Sequence, residues 1–366
     1  MRVLYDDSLA LNPAGTGAFV RGLRQGLQRR PEVEIVTARS RLNGSADLDV
    51  SDRGVWQRIG RAGRHVRHYL QELPADAQRQ RCDAIFCPTS LGPLRGRVPS
   101  FITLFDLTPL RWSSTMDAMS RRYLRIMLNA GIKRSAGVCT ISESVADEIR
   151  QHFPDLRGAV AVAYPGPNPE LVDAVAVPVS IPPAPFVLMV GTLEPRKNHL
   201  TMLRALAEHR NRHPVSELRL VLAGAAGWLY EPVLAAIGEL GLESRVSRLG
   251  RIEPGELRWL YENAAALAFP SIYEGFGLPV LEAFVLGCPV IAARIPSVLE
   301  IAGSDGAMLL EPGDVPAWAA ALDGAAAGQF ARSMVERARH RAERFTWAGC
   351  AESVVNLIAT GLDRVR

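Results

Sequence analysis

Short apolar runs, many of them β-branched, recur along the chain, and most are followed by a segment whose apolar positions repeat at helical spacing. In the first half the runs are Val3-Leu4-Tyr5, Val33-Glu34-Ile35-Val36, Ala84-Ile85-Phe86, Phe101-Ile102-Thr103-Leu104, Val138-Cys139-Thr140-Ile141 and Val160-Ala161-Val162. Runs this short and this uniformly apolar predict strands buried on both faces, and their alternation with helices predicts doubly wound α/β layers. A proline-rich passage from Pro165 to Pro185 breaks the pattern and predicts an interdomain linker at 171–185. A second series then begins at Phe186-Val187-Leu188-Met189-Val190. It continues through Leu218-Arg219-Leu220-Val221-Leu222, Val246-Ser247-Arg248-Leu249, Ala266-Leu267-Ala268-Phe269, Pro289-Val290-Ile291-Ala292 and Ala307-Met308-Leu309-Leu310. Two Rossmann-like domains are expected, 1–170 and 186–346, with a terminal helix from about Trp347 to Leu362.

Length and composition agree with two cores: 366 residues exceed the usual size of one, and 48% apolar content supports full burial. No uninterrupted apolar run reaches the roughly eighteen residues of a membrane span, and Asp6 and Asp7 come too early for a signal peptide, so a soluble cytoplasmic chain is the expectation. The five cysteines are scattered and lack C-x-x-C spacing, which predicts reduced thiols and no structural zinc held by them.

Charge is unevenly spread. The first 170 residues hold 24 Lys+Arg against 17 Asp+Glu, and the remainder 18 against 21. The basic excess is densest at Arg53, Arg58, Arg61, Arg64 and Arg67, with His65 and His68, beside an apolar stripe of Trp56, Ile59, Val66, Tyr69 and Leu70. Two readings stand, a basic amphipathic helix for an anionic membrane surface or acidic partner, and a solvated helix face packed on its own core. Nucleic acid is not expected, because no recognition motif accompanies the charge.

The chemistry concentrates in Pro270-Ser271-Ile272-Tyr273-Glu274-Gly275-Phe276-Gly277-Leu278-Pro279-Val280-Leu281-Glu282-Ala283-Phe284. A buried strand precedes it, and Pro279 suits the first turn of a helix running to about Leu286. An acidic side chain thus sits at a strand-to-helix loop whose Gly275, Phe276 and Gly277 N–H groups suit hydroxyls or an anion. A second block, Val190-Gly191-Thr192-Leu193-Glu194-Pro195-Arg196-Lys197-Asn198-His199, places a guanidinium and an ammonium after another strand, and the chain has only two lysines, Lys133 and Lys197. Such a pair suits a diphosphate. A glycosidase-like reading of Glu274 and Glu282 fails, since the two lie along one element instead of facing each other across a sugar ring.

Together the two blocks resemble glycosyltransferase family 4: the first its Glu-x7-Glu signature, the second its diphosphate-gripping motif. The resemblance runs over most of the chain, with wording nearest the polymer mannosyltransferase-like branch. It implies the GT-B fold, with an acceptor domain and a donor domain facing across a cleft and the terminal helix, about 347–366, returning to the first. It also implies a retaining hexosyltransferase using a nucleotide sugar, GDP-mannose or a related donor, on a lipid-linked or polysaccharide acceptor. UDP-sugar use remains open, since Arg251-Ile252 and the residues near Gly224, which would frame the base, spell no preference.

Carried over residue by residue, Arg196 and Lys197 hold the departing diphosphate, Glu274 the donor-sugar hydroxyls and Glu282 the ribose. Gly191, Thr192, Arg251, Ile252, Gly275, Phe276, Gly277 and Leu278 line the donor. Gly15-Thr16-Gly17, expected before a helix starting near Ala18, matches the family's glycine loop near the diphosphate; a plain tight turn is the other reading. Where many members carry His before Asp, this chain has Phe105 before Asp106, which leaves Asp106 as the catalytic candidate there, or a pocket for a less polar sugar such as a deoxyhexose. No cofactor or metal is implied, although Asp47-Leu48-Asp49 has a metal-like spelling; Arg111, Trp112 and Tyr123 are acceptor candidates, with core packing the other reading for Tyr123. Contact of the basic first domain with the inner membrane face is a further expectation. Two rivals stand beside this reading, a catalytically silent glycan-binding subunit and a nucleotide-sugar epimerase.

Overall fold

Among the described residues of the computed structural model, 1–12, 15–38, 63–111, 118–181 and 185–365, each of the twelve apolar runs above contains a strand, and every strand is parallel to its neighbours. The chain forms two units, Met1–Gly166 with Phe345–Arg366, and Pro167–Arg344.

In the first unit β1 (Arg2–Tyr5), β2 (Glu34–Thr37), β3 (Ala84–Cys87), β4 (Ser100–Leu104), β5 (Gly137–Thr140) and β6 (Ala159–Val162) lie in the order β2-β1-β3-β4-β5-β6. The register pairs Val3 with Ile35 and Ala84, Phe86 with Phe101, and Val138 with Ile102 and Val160. Helices cover the sheet, so the central strands are buried along their length, and that is why they read as unbroken apolar runs.

The helix Trp347–Val365 belongs to this unit. Its buried positions Cys350, Ala351, Val354, Val355, Leu357, Ile358 and Gly361 form one stripe at helical spacing. Glycines set its seat. A Cβ on Gly22 would lie 2.2 Å from the Trp347 ring, one on Gly26 2.4 Å from the Trp347 carbonyl oxygen, and one on Gly361 2.5 Å from the Phe101 ring. The helix Gly15–Gln28 can therefore approach Trp347 only without side chains at Gly22 and Gly26. Gly17 is similarly fixed, since its Cβ would overlap the Asn12 carbonyl oxygen.

In the second unit β7 (Phe186–Val190), β8 (Arg219–Ala223), β9 (Val246–Gly250), β10 (Ala266–Phe269), β11 (Val290–Ala293) and β12 (Met308–Leu310) lie in the order β12-β11-β10-β7-β8-β9. Within the unit this is the 3-2-1-4-5-6 doubly wound order read from β9, so strand order reverses between β7 and β10, where a crevice opens beyond the carboxyl ends.

Three expectations change. The chain divides at Gly166/Pro167 instead of 170, and the described part of the expected linker 171–185 is docked on the second unit. Arg258 Nη1 donates to the carbonyls of Val172 (2.5 Å) and Ala174 (3.0 Å), and Val177 N to that of Gly255 (3.0 Å). The helix expected near Ala18 begins at Gly15, placing Gly15 and Gly17 inside its first turn. His68, read on a basic face, is wholly buried in a π-helical turn, His68–Glu72, ahead of the helix Leu73–Arg79. Asp47, Asp49, Arg53, Trp56, Arg58, Ile59, Arg61 and Trp112 lie outside the described residues, as do the side chains of Arg111 and Tyr123.

Gly22→Val gains helix propensity worth less than about 1 kcal/mol, but overpacking against the Trp347 ring costs about 1–3 kcal/mol. The expected outcome is a lower urea midpoint; an unchanged midpoint would show that the terminal helix does not rest on this contact.

Candidate active site

The loops after β7 and β10 meet at the switch point of the second sheet. Gly191 follows β7 with φ +136°, a region glycine enters freely, and a Cβ there would meet Lys197 Cε at 3.3 Å. The chain then forms a 3₁₀ turn, Pro195–Lys197, and enters the helix His199–Arg212 through Asn198 at φ 58°, ψ 39°. Asn tolerates the left-handed region better than most side chains. Its amide also spans loops, donating to the carbonyls of Pro270 (3.1 Å) and Pro312 (2.8 Å) while accepting from Thr201 Oγ1 (2.8 Å). Ile272 N donates to the Arg196 carbonyl at 2.9 Å, so the two loops hold a fixed relation.

Four charges share that junction. Glu274 Oε2 accepts from Arg196 Nη1 at 2.5 Å and Oε1 from Lys197 Nζ at 2.6 Å. Arg196 Nε pairs with Glu194 Oε1 at 2.6 Å, and its Nη1 also reaches the Tyr273 carbonyl at 3.2 Å. Lys197 Nζ stands 5.4 Å from the Phe269 ring centre. The side chains are 2% (Glu194), 8% (Glu274), 12% (Lys197) and 18% (Arg196) exposed, which puts the network in a low dielectric where attractions far exceed those of surface pairs. Two cations and two carboxylates cancel, so the charge is present but internally satisfied.

Titration follows from these contacts. Burial alone would raise the Glu274 carboxyl, but Lys197 and then Arg196 hold it down to about 2. Burial pulls Lys197 below the ordinary lysine value, opposed chiefly by Glu274. His199, buried beside Lys197, is lowered to about 4, by burial first and by that ammonium second. Glu282 is the opposite case. It faces inward from the helix Leu278–Leu286, is 7% exposed, accepts from Tyr261 Oη at 3.0 Å, and burial pushes it up to about 7. Glu282 is thus an inward-facing, buried residue of that helix.

The structure thus groups Gly191, Thr192, Arg196, Lys197, Glu274, Gly275, Phe276, Gly277, Leu278 and Glu282 on the switch-point loops and the helix they lead into. Phe276 is buried, Gly277 has φ +133°, and Leu278 opens the helix with Pro279 behind it, while Val280 N and Leu281 N donate to the Gly277 carbonyl at 2.9 and 3.2 Å. Arg251 and Ile252 follow β9, the edge strand, with Arg251 exposed and Ile252 half-buried. Asp106, Gly15 and Gly17 belong to the first unit. There Asp106 Oδ1 accepts from Thr108 N at 2.9 Å in an Asx-type turn ahead of the short helix Thr108–Arg111, and Phe105 packs edge-on against Phe19 at 5.1 Å.

Sequence reasoning assigned no role to Glu194, Asn198 or Tyr261. Glu194 stands inside the quoted motif, but only the turn shows it gripping Arg196. A second unassigned group fills the first unit's own switch point, between β1 and β3. Asp6 is fully buried, with Tyr69 Oη 3.2 Å from Oδ2 and His68 Nε2 3.5 Å from Oδ1, and Tyr69 Oη lies 3.3 Å from Thr89 Oγ1. Burial opposes charge on His68, yet Asp6 and Glu72 hold its pKa above the ordinary histidine value.

Comparison with known proteins bears on this arrangement. Over the whole chain the fold matches the sucrose-phosphate synthase of Thermosynechococcus elongatus with a TM-score of 0.73 at 18% identity, covering 100% of both chains. The Anabaena HepE complex with UDP-glucose matches at 0.69 and 18%, over 98% of this chain and 100% of that one. Two parallel six-stranded sheets with these neighbours define the GT-B class of glycosyltransferase folds. The profile described as "Glycosyltransferase Family 4" matches residues 13–171 and that described as "Glycosyl transferases group 1" matches 177–341. The chain belongs to glycosyltransferase family 4. It is 34% identical over 177 residues to O-antigen chain mannosyltransferase B of Escherichia coli, covering 47% of this chain and 45% of the relative. To the D-inositol 3-phosphate glycosyltransferase of Corynebacterium diphtheriae it is 32% identical over 235 residues, covering 59% and 54%. The chain thus spans about half the length of these relatives.

A carboxyl held low in the folded state stabilises fully above its ordinary value of 4.5, and the contribution is lost as pH falls toward 2. In urea unfolding from about pH 6 down to about pH 3, the stability gap between wild type and Glu274→Gln should shrink by about 2 kcal/mol. A pH-independent gap would place Glu274 outside the charge network.

Proposed function

We propose that the chain is a retaining hexosyltransferase that takes a sugar from a nucleoside-diphosphate donor, GDP-mannose foremost, and adds it to a lipid-linked or polysaccharide acceptor. The observation that carries the reading is Glu274 bridging Arg196 and Lys197 at the switch point of a parallel sheet. Two cations there suit a diphosphate, and a carboxylate between them suits the hydroxyls of the attached sugar. The mannosyl choice is supported by similarity to O-antigen mannosyltransferases of Escherichia coli and Salmonella typhimurium, the latter 27% identical over 221 residues.

In this reading the arriving diphosphate competes with Glu274 for Arg196 and Lys197, and Glu274 exchanges part of its ion pairing for sugar hydroxyls. Negative charge that develops on the leaving phosphate is met by cations already fixed in place, which lowers the barrier without reorganisation. The front-side route, in which that phosphate takes the acceptor proton, gives retention. Glu282, held by Tyr261, binds ribose hydroxyls as the carboxylate. The Asp6–His68–Tyr69 group ties the end of β1 to the π-helical turn. No helix among the described residues is long and apolar enough to cross a membrane. The reading carries a cytoplasmic location and contact of the basic first unit with a membrane face, supported by that unit's charge excess. A UDP-sugar donor is the second reading, favoured by the fold match to a protein solved with UDP-glucose.

A melting screen of nucleoside diphosphates and nucleotide sugars tests both. GDP or GDP-mannose is expected to raise the melting temperature of the wild type, and Lys197→Ala to remove most of the rise and lower kcat by about 10²–10³. A response to UDP alone selects the second reading. No turnover across the panel would leave a silent subunit, an altered free nucleotide sugar would mark an epimerase, and an inverted product by NMR would end the retaining mechanism.

Ribose binding to the ionised Glu282 implies donor affinity that improves as pH rises through about 7. Titrations by fluorescence or calorimetry should show this slope in the wild type and a flat profile in Glu282→Gln; equal slopes would remove Glu282 from the site.

A further inference from the structure

At the far end of the helix His199–Arg212 from Lys197, a second polar group converges. His209 Nδ1 lies 2.6 Å from Asp323 Oδ1, and His213 Nε2 lies 3.2 Å from the same oxygen. One ligand atom from each of the three falls within 4.8 Å of the others. The histidines stand four residues apart at the helix end, and Asp323 comes from the neighbouring helix Val315–Ala326. Nothing in the proposed transfer chemistry uses them.

We propose that His209, His213 and Asp323 form a divalent-cation site of the zinc kind that bridges these two helices. Two imidazoles and a carboxylate are a borderline-soft donor set that suits Zn²⁺, with a fourth position left to water. Metal–ligand bonds of about 2.0–2.1 Å in a tetrahedron put neighbouring ligand atoms about 3.3 Å apart, so both distances to Asp323 Oδ1 need only small adjustment. The third edge closes by moving His213, whose side chain is 47% exposed, while His209 is held at 3%.

Outer contacts match as well. His209 Nε2 lies 2.9 Å from Ser216 Oγ, and Asp323 Oδ2 pairs with Arg212 Nη1 at 2.9 Å. Ligating imidazoles characteristically use their other nitrogen, and ligating carboxylates their other oxygen, in this way. A bare hydrogen-bonded clamp, with His209 Nδ1–H donating to Asp323, makes the same contacts, so the two readings part only on metal binding. Ten helical rises of about 1.5 Å carry the chain from His199, two residues past Lys197, to His209, about 15 Å along the axis. The readout of this group is therefore binding and stability, independent of the donor site.

The test uses the full chain without a histidine tag, stripped with EDTA and titrated with Co²⁺. The five cysteines are buried and offer no competing thiolate site. One cobalt per chain is expected, with the visible absorption of tetrahedral coordination and displacement by Zn²⁺. His213→Ala, a change at a half-exposed position, should weaken binding by at least about tenfold, and Ser216→Ala by about 10–100-fold at unchanged stoichiometry. Zn²⁺ should raise the melting temperature of the wild type and not that of His213→Ala. The absence of saturable binding, or equal binding or equal thermal response in His213→Ala, overturns the site.

Discussion

The candidate active site depends on one arrangement, a buried carboxylate held simultaneously by a guanidinium and an ammonium from a neighbouring loop. Burying Glu274 alone would cost several kcal/mol or force it to take a proton. With Arg196 at 2.5 Å and Lys197 at 2.6 Å it stays ionised, and both cations stay beside it. The same contacts that make the fold tolerate buried charge preassemble an electrostatic pocket. Removing any member strands the others, so the residues of the candidate site are also structural.

That arrangement rests on backbone placement. Strand order reverses between β7 and β10, so the loops leaving them diverge to opposite faces and open a crevice where Arg196, Lys197 and Glu274 meet. Asn198 then ties the loop after β7 to carbonyls of two others. Gly191 leaves space for Lys197, and the carbonyl of Gly191 in turn permits only glycine at Gly224. Steric permission at glycines also shapes the seat of the terminal helix on the first unit, through Gly22, Gly26 and Gly361, beneath its buried apolar stripe.

Buried titratable groups occur at both switch points, with opposite electrostatics. In the second unit Glu274 is depressed by cations, whereas Glu282, lacking one, is raised by burial against a single tyrosine hydroxyl. In the first, Asp6 and His68 stabilise each other's charge inside the core. Partner choice, set by which loops the topology brings together, decides the charge state of each carboxyl.

Alternation of apolar runs with helical spacing was enough to place the strands and the two α/β layers, because parallel strands buried on both faces leave a strong local signal. The two loop motifs could likewise be read, since glycine, proline and charge at strand ends have local causes. Tertiary structure alone decided the rest. Whether residues 167–181 link the units or dock on one depends on Arg258 and Gly255, far along the chain. Whether His68 faces solvent or core depends on Asp6, and whether Glu282 is exposed depends on Tyr261. Each of these is a contact between distant segments, and composition and periodicity describe only near neighbours.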